Sequence, residues 1–135
     1  MIKLYIDTNV IIDMIDDRKN KYNENLGDCA SKVFTDAISC KYQLILSDWT
    51  FQELYKHKIP EAAKMLLELA KKKIIFQKTT AEDKHKAKQL SEAHSDDALH
   101  VILAEKANAD IIVTSNTEHF NQIQTNIPIK KPKYL

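Results

Sequence analysis

The chain has 135 residues, 29% charged and 44% hydrophobic, with a formal net charge of +1. This is the length and composition of one globular domain, expected to span residues 1–135, whose core needs no staple. The charge balance by itself argues for no partner, and no apolar run approaches the ~18 residues of a membrane span. Gly27 is the sole glycine, which excludes a Walker loop and a GxGxxG turn, both of which need several. Cys29 and Cys40 stand in no CxxC spacing and read as two small buried thiols of a reduced, cytoplasmic protein. The N-terminus carries no signal-peptide pattern.

In chain order, Ile2, Leu4 and Ile6 alternate as one face of a first strand. The period changes at Asp7, and Thr8 and Asn9 are N-cap types for a helix running from Asn9 to about Asp16. Residues 17–28 are polar and read as a surface loop. Ala30, Val33, Phe34, Ala37 and Ile38 recur at helical spacing between Cys29 and Cys40. Tyr42 to Leu46 is a second strand, after which Ser47 or Asp48 caps a helix carrying Trp49, Phe51, Glu53 and Leu54. Pro60 opens another helix, with Ala62, Met65, Leu66 and Leu69 as its buried stripe and Lys71 to Lys73 in its last turn.

Ile74 to Phe76 is a third strand, and Thr79 or Thr80 starts a helix reaching about His94. Ser95 caps the next helix, with Asp96 and Asp97 in its first turn, where negative charge is favoured. Its apolar face is Ala98, Val101, Ile102 and Ala104 or Glu105. Asp110 to Val113 is a fourth strand, Asn116 to Phe120 a helical turn, and Ile127 to Ile129 a last short strand. Strands alternating with helices predict an α/β domain: a central, mainly parallel sheet of four to five strands with helices on both faces.

In such a sheet the strand ends share one rim, where ligands bind. Asp7 ends the first strand, Glu53 follows the second, Asp97 opens the helix before the fourth, and Asn116 follows the fourth after Thr114 and Ser115. Taken singly, each has an ordinary reading as a helix cap or a solvated helix residue; the ordered set carries the information. Crowded carboxylates repel unless a cation neutralises them, and oxygen ligands select hard ions such as Mg²⁺ or Mn²⁺.

Asp7-Thr8-Asn9-Val10, Thr50-Phe51-Gln52-Glu53-Leu54, Asp97-Ala98-Leu99-His100-Val101 and the run from Ala109 to Phe120 together resemble the PIN domain family across essentially the whole chain. The resemblance is to small bacterial PIN proteins, including VapC-type toxins of toxin–antitoxin pairs. It implies that Asp7, Glu53, Asp97 and Asn116 are catalytic and metal-binding. Thr8, Asn9, Thr114 and Ser115 would orient them. The implied reaction is Mg²⁺- or Mn²⁺-dependent hydrolysis of RNA, with an antitoxin and a second copy of the chain as possible partners and no membrane association. Asn116 stands where many members carry a fourth aspartate, and His119 where an aspartate is usual before Phe120, so the site has less negative charge than the family pattern.

Lys71 to Lys73, the group Lys84, Lys86 and Lys88, and the group Lys130, Lys131 and Lys133 are candidates for an RNA groove. Of the five histidines only His119 is expected near the site, with His100 read as a core residue. Trp49 and Phe51 are expected to pack rather than stack on bases, and the helix from Trp49 to Tyr55 is the candidate dimer contact. The alternative from another class is a PIN-fold RNA- or protein-binding module with a weakened site. A receiver or haloacid-dehalogenase type of phosphoryl-transfer domain fits less well. Asn9 holds the place of the second dehalogenase aspartate, and Phe76-Gln77-Lys78 offers no receiver aspartate.

Overall fold

The computed structural model describes residues 1–55 and 57–135. Five strands form one parallel sheet: β1 (Ile2–Ile6), β2 (Tyr42–Ser47), β3 (Ile74–Gln77), β4 (Ile111–Val113) and β5 (Ile129–Lys130), in the order β3-β2-β1-β4-β5. In the centre, Leu4 pairs with Leu44 on one side and with Ile111 on the other. The helices are α1 (Thr8–Asp16), α2 (Leu26–Ile38), α3 (Asp48–Leu54), α4 (Glu61–Ala70), α5 (Ala81–Leu90), α6 (Ser95–Lys106) and α7 (Thr117–Phe120).

The pleat of β1 divides the core in two. Leu4 and Ile6 point into a cluster with Ile11, Phe34, Leu44 and Leu46, closed by α1, α2 and α4. Tyr5 points the other way, into a cluster with Ile45, Leu103, Ile112 and Phe120, closed by α5, α6 and α7. A parallel sheet covered on both faces is what the near-continuous apolar runs of β1, β2 and β4 require.

Several local expectations need correction. Helix α1 begins at Thr8, so Asp7 holds the N-cap position rather than Thr8 or Asn9. The buried side of α4 is Ala63 and Ala70 with Leu66 and Leu67 packed beside them, while Met65 and Leu69 are 61% and 65% exposed. The face is chosen by fit: alanines let α4 lie close to α2, and the bulkier stripe is left outside. Helix α6 buries Ala98, Leu99, His100, Val101, Leu103 and Ala104, more than one stripe, because it is wedged between the sheet and α5. Its N-cap position is His94, not Ser95, and α5 stops at Leu90. The last strand falls at Ile129–Lys130. Cys29 is half-buried and Cys40 exposed, so neither is a core thiol. Among the described residues, no helix is long and apolar enough to cross a membrane.

Candidate metal centre

The chain runs from β1 outward to β2 and β3, then crosses back to β4 on the other side of β1. The carboxyl ends of β1 and β4 therefore flank the topological switch point, where open α/β sheets place their ligands. Asp7 leaves β1 there. Its backbone N–H still donates to the Val113 carbonyl of β4, at 3.0 Å, which pins the residue between the two strands. Its carboxylate does not cap α1; it turns to the cleft and accepts from the Thr114 hydroxyl at 2.8 Å.

Glu53 arrives from the other side. Ser47 accepts from the Thr50 N–H and so caps α3. Leu54 anchors the end of that helix in the core. Glu53, one residue before Leu54, thereby projects over the rim, where the Thr8 hydroxyl donates to it at 2.6 Å.

Helix α6 supplies the third side. His100 is 1% exposed, and its Nε2 lies 2.7 Å from Glu53 Oε1, 3.2 Å from the Thr8 hydroxyl and 3.4 Å from Asp7 Oδ1. Its Nδ1 is 2.7 Å from the Tyr5 hydroxyl, which donates in turn to Ser47 Oγ, leaving the phenol oxygen to accept from Nδ1–H. Burial works to lower the His100 pKa, but the Tyr5 oxygen, Glu53 and Asp7 outweigh it and hold the pKa well above the ordinary imidazole value. The ring is an imidazolium bridging two carboxylates.

The carboxylates respond differently to this neighbour. Burial raises the pKa of Asp7, against the pull of His100 and the Thr114 bond, and the charges of Asp97 and Glu53 add to the rise. Asp97 sits three residues before His100, on the same helix face. Burial raises its pKa too, opposed by His100, His119 and His94. At Glu53 burial also pushes upward, but the His100 hydrogen bond and charge and the Thr8 bond carry the pKa below the ordinary value.

In this cleft Asp7 and Glu53 meet at His100 Nε2, while Asp97 lies within reach of their charges and beside His94 and His119. Asn116 stands at its edge with its amide nitrogen 2.8 Å from His119 Nδ1, and its backbone N–H donates to the Thr114 hydroxyl. Thr8 and Thr114 hold Glu53 and Asp7 respectively. Ser115 turns away, lining a cavity with the buried Asp13, and Asn9 is half-buried on the first turn of α1. The sequence reading missed His100, Tyr5 and Ser47 as one relay. The spacing of Asp97 and His100 was the signal available for it.

Among the lysines, Lys130 ends β5 beside Thr114, whose N–H donates to the Lys130 carbonyl at 3.1 Å. Lys84 and Lys88 line a small cavity with Asp96 next to the start of α6. Lys71 to Lys73 form a 3₁₀ turn leading into β3, at the amino-terminal rim of the sheet and so on the opposite side from the cleft.

The PIN domain family profile matches residues 3–118. No curated protein matches the chain. Among solved structures of similar fold is VapBC2 from Rickettsia felis bound to a DNA fragment from its promoter, with TM-score 0.63 and 18% identity over 96% of this chain and 98% of that one. Another is VapBC-1 from nontypeable Haemophilus influenzae, with TM-score 0.59 and 20% identity over 98% of this chain and 99% of that one. At these identities the likeness is one of fold. The profile match runs from β1 into α7 and takes in every position of the cleft, and the chain belongs to the PIN domain family.

Proposed function

We propose that the protein is a Mg²⁺- or Mn²⁺-dependent endoribonuclease, acting in the cytoplasm as the toxin half of a toxin–antitoxin pair. The observation that supports this reading is the pairing of Asp7 and Glu53 across His100 at the switch point of a PIN domain, with the charge of Asp97 bearing on Asp7. The donor set fits a hard cation: the three carboxylates offer only oxygen, and burial makes the charge on Asp7 and Asp97 costly until a cation offsets it. Asp7, Glu53 and Asp97 would hold the ion, with the Asn116 amide at the edge. When bound, such an ion polarises water and offsets charge gathering on a phosphodiester under attack.

The chain's own residues do the rest. Thr114 and Thr8 fix the carboxylates of Asp7 and Glu53. The His100 imidazolium, with no direct path to solvent, keeps Glu53 ionised. Lys84 and Lys88, near the start of α6, and Lys130, beside Thr114, would bind RNA phosphates. The similarity to VapBC structures supports the toxin–antitoxin part of the reading.

One observation favours a second reading, a PIN-fold binding module with a weakened site: Asn116 pairs with His119 rather than adding a fourth carboxylate. Incubating the pure protein with RNA separates the two. The nuclease reading expects cleavage with Mg²⁺ or Mn²⁺, none with a chelator, and none from Asp7→Asn. RNA binding without metal-dependent cleavage would establish the binding module instead.

A further inference from the structure

At the outer edge of the cleft, three side chains from two segments face one another. His94 precedes α6, Asp97 lies in its first turn, and His119 belongs to α7. One nitrogen of each histidine and one carboxylate oxygen of Asp97 all lie within 4.8 Å of one another. The two imidazoles stack with centroids 4.6 Å apart and planes at 29°, and His119 Nδ1 stands 3.5 Å from Asp97 Oδ2.

Each ring is held in place by something other than the cluster. The His94 backbone N–H donates to Ser91 Oγ and its carbonyl accepts from Ala98. Although His94 occupies the N-cap position, its side chain does not cap the helix; it faces His119. The Asn116 amide nitrogen donates to His119 Nδ1 at 2.8 Å and so fixes the plane of that ring.

We propose that His94, Asp97 and His119 form a second cation site at the rim of the cleft, taking a borderline transition ion such as Zn²⁺ or Co²⁺ in preference to Mg²⁺. It goes beyond the three-carboxylate reading and shares with it only Asp97. The preference follows from the donors: imidazole suits Zn²⁺ and its neighbours, whereas Mg²⁺ demands oxygen. Ligands about 2.0–2.2 Å from a zinc ion stand roughly 3.5 Å from one another in a tetrahedron, so a shift of about 1 Å closes the set. Three protein ligands leave coordination positions open, as in sites that act on a further ligand rather than hold a fold together. The His119 side chain is 46% exposed, which gives the ion a way in.

Titration of the metal-stripped full chain with Zn²⁺ by calorimetry and with Co²⁺ by visible absorption tests this, with Mg²⁺ titrated in parallel. Wild type is expected to bind one Zn²⁺ at this site and to develop Co²⁺ ligand-field bands. His94→Ala and His119→Ala are each expected to weaken Zn²⁺ at least about tenfold and to remove the bands, with the helical circular dichroism retained. Asp7→Asn is expected to keep both signals while losing Mg²⁺. Zn²⁺ binding that survives in the His94→Ala/His119→Ala double variant, or that disappears in Asp7→Asn, would overturn the proposal. Mg²⁺ binding that survives in Asp7→Asn would instead count against the three-carboxylate centre and leave the histidine site standing.

Discussion

Asp7 and His100 are 2% and 1% exposed, and each alters the cost of burying the other. The Asp7 pKa is raised because desolvation exceeds what His100 and Thr114 return. A carboxyl whose folded pKa lies above its unfolded one costs stability at a pH above both values, and that cost is relieved as the pH falls through the folded value. Asp7→Asn removes the charge and keeps the shape, so its thermal midpoint without metal is expected to lie above that of wild type. His100→Ala acts oppositely: it strands two carboxylates beside a cavity, at a cost of roughly 3 kcal/mol, and its midpoint is expected to fall. Calorimetric melting of both variants in chelator checks the pair. A drop for Asp7→Asn would mean that the attraction to His100 outweighs burial. At this scale Asp7 stood out in the sequence because it ends a strand, whereas Glu53 and Asp97, both on helices, stood out only through their order along the chain. His100 was not, because an imidazole on an apolar helix face looks the same whether it fills space or bridges charges.

At the scale of elements, the turn from α1 to α2 depends on a residue that the sequence singled out only for its rarity. Asp17 closes α1 in the left-handed region, with φ of 49°. Gly27, in the first turn of α2, packs directly beneath it. A Cβ on Gly27 would stand 2.9 Å from the Asp17 Cα and 3.0 Å from the Asp13 carbonyl, both backbone atoms that cannot swing aside. Gly27→Ala is therefore expected to destabilise the domain by about 1–3 kcal/mol despite alanine's better helix propensity, measurable as a shift in urea midpoint. An unchanged or higher midpoint would show that the two helices can separate at no cost. The expected loop over residues 17–28 hid this contact, since polar composition marks a surface segment but not what a glycine in it touches. The α4 stripe failed for a related reason. Hydrophobicity ranked Met65 and Leu69 above Ala63 and Ala70, whereas close packing selects the smaller pair.

Across the whole molecule, the parallel sheet was legible because alternating strands and helices leave few other arrangements, whereas the strand order that sets the switch point was not. The outer surface was less so. Phe51 and Phe76 stack at 5.7 Å while about half exposed, and with Leu46, Leu67 and Ile74 they line a groove of about 660 Å³. Tyr55, just after α3, and Met65 and Leu69 on α4 add exposed apolar surface. Exposed aromatic area of this kind favours association with a second copy. Light scattering is expected to give a dimer that Phe51→Ser with Phe76→Ser returns to monomer; a wild-type monomer at high concentration would remove the assignment.

The central claim is that Asp7, Glu53 and Asp97 hold a divalent cation at the end of β1. Mg²⁺ titration calorimetry on wild type, Asp7→Asn and Asp96→Asn tests it most directly, because Asp96 is an exposed carboxylate adjacent to Asp97 in the same helical turn. The account predicts binding to wild type and to Asp96→Asn with closely similar affinity, and none to Asp7→Asn. Wild-type affinity in Asp7→Asn, or a greater loss in Asp96→Asn, would contradict it.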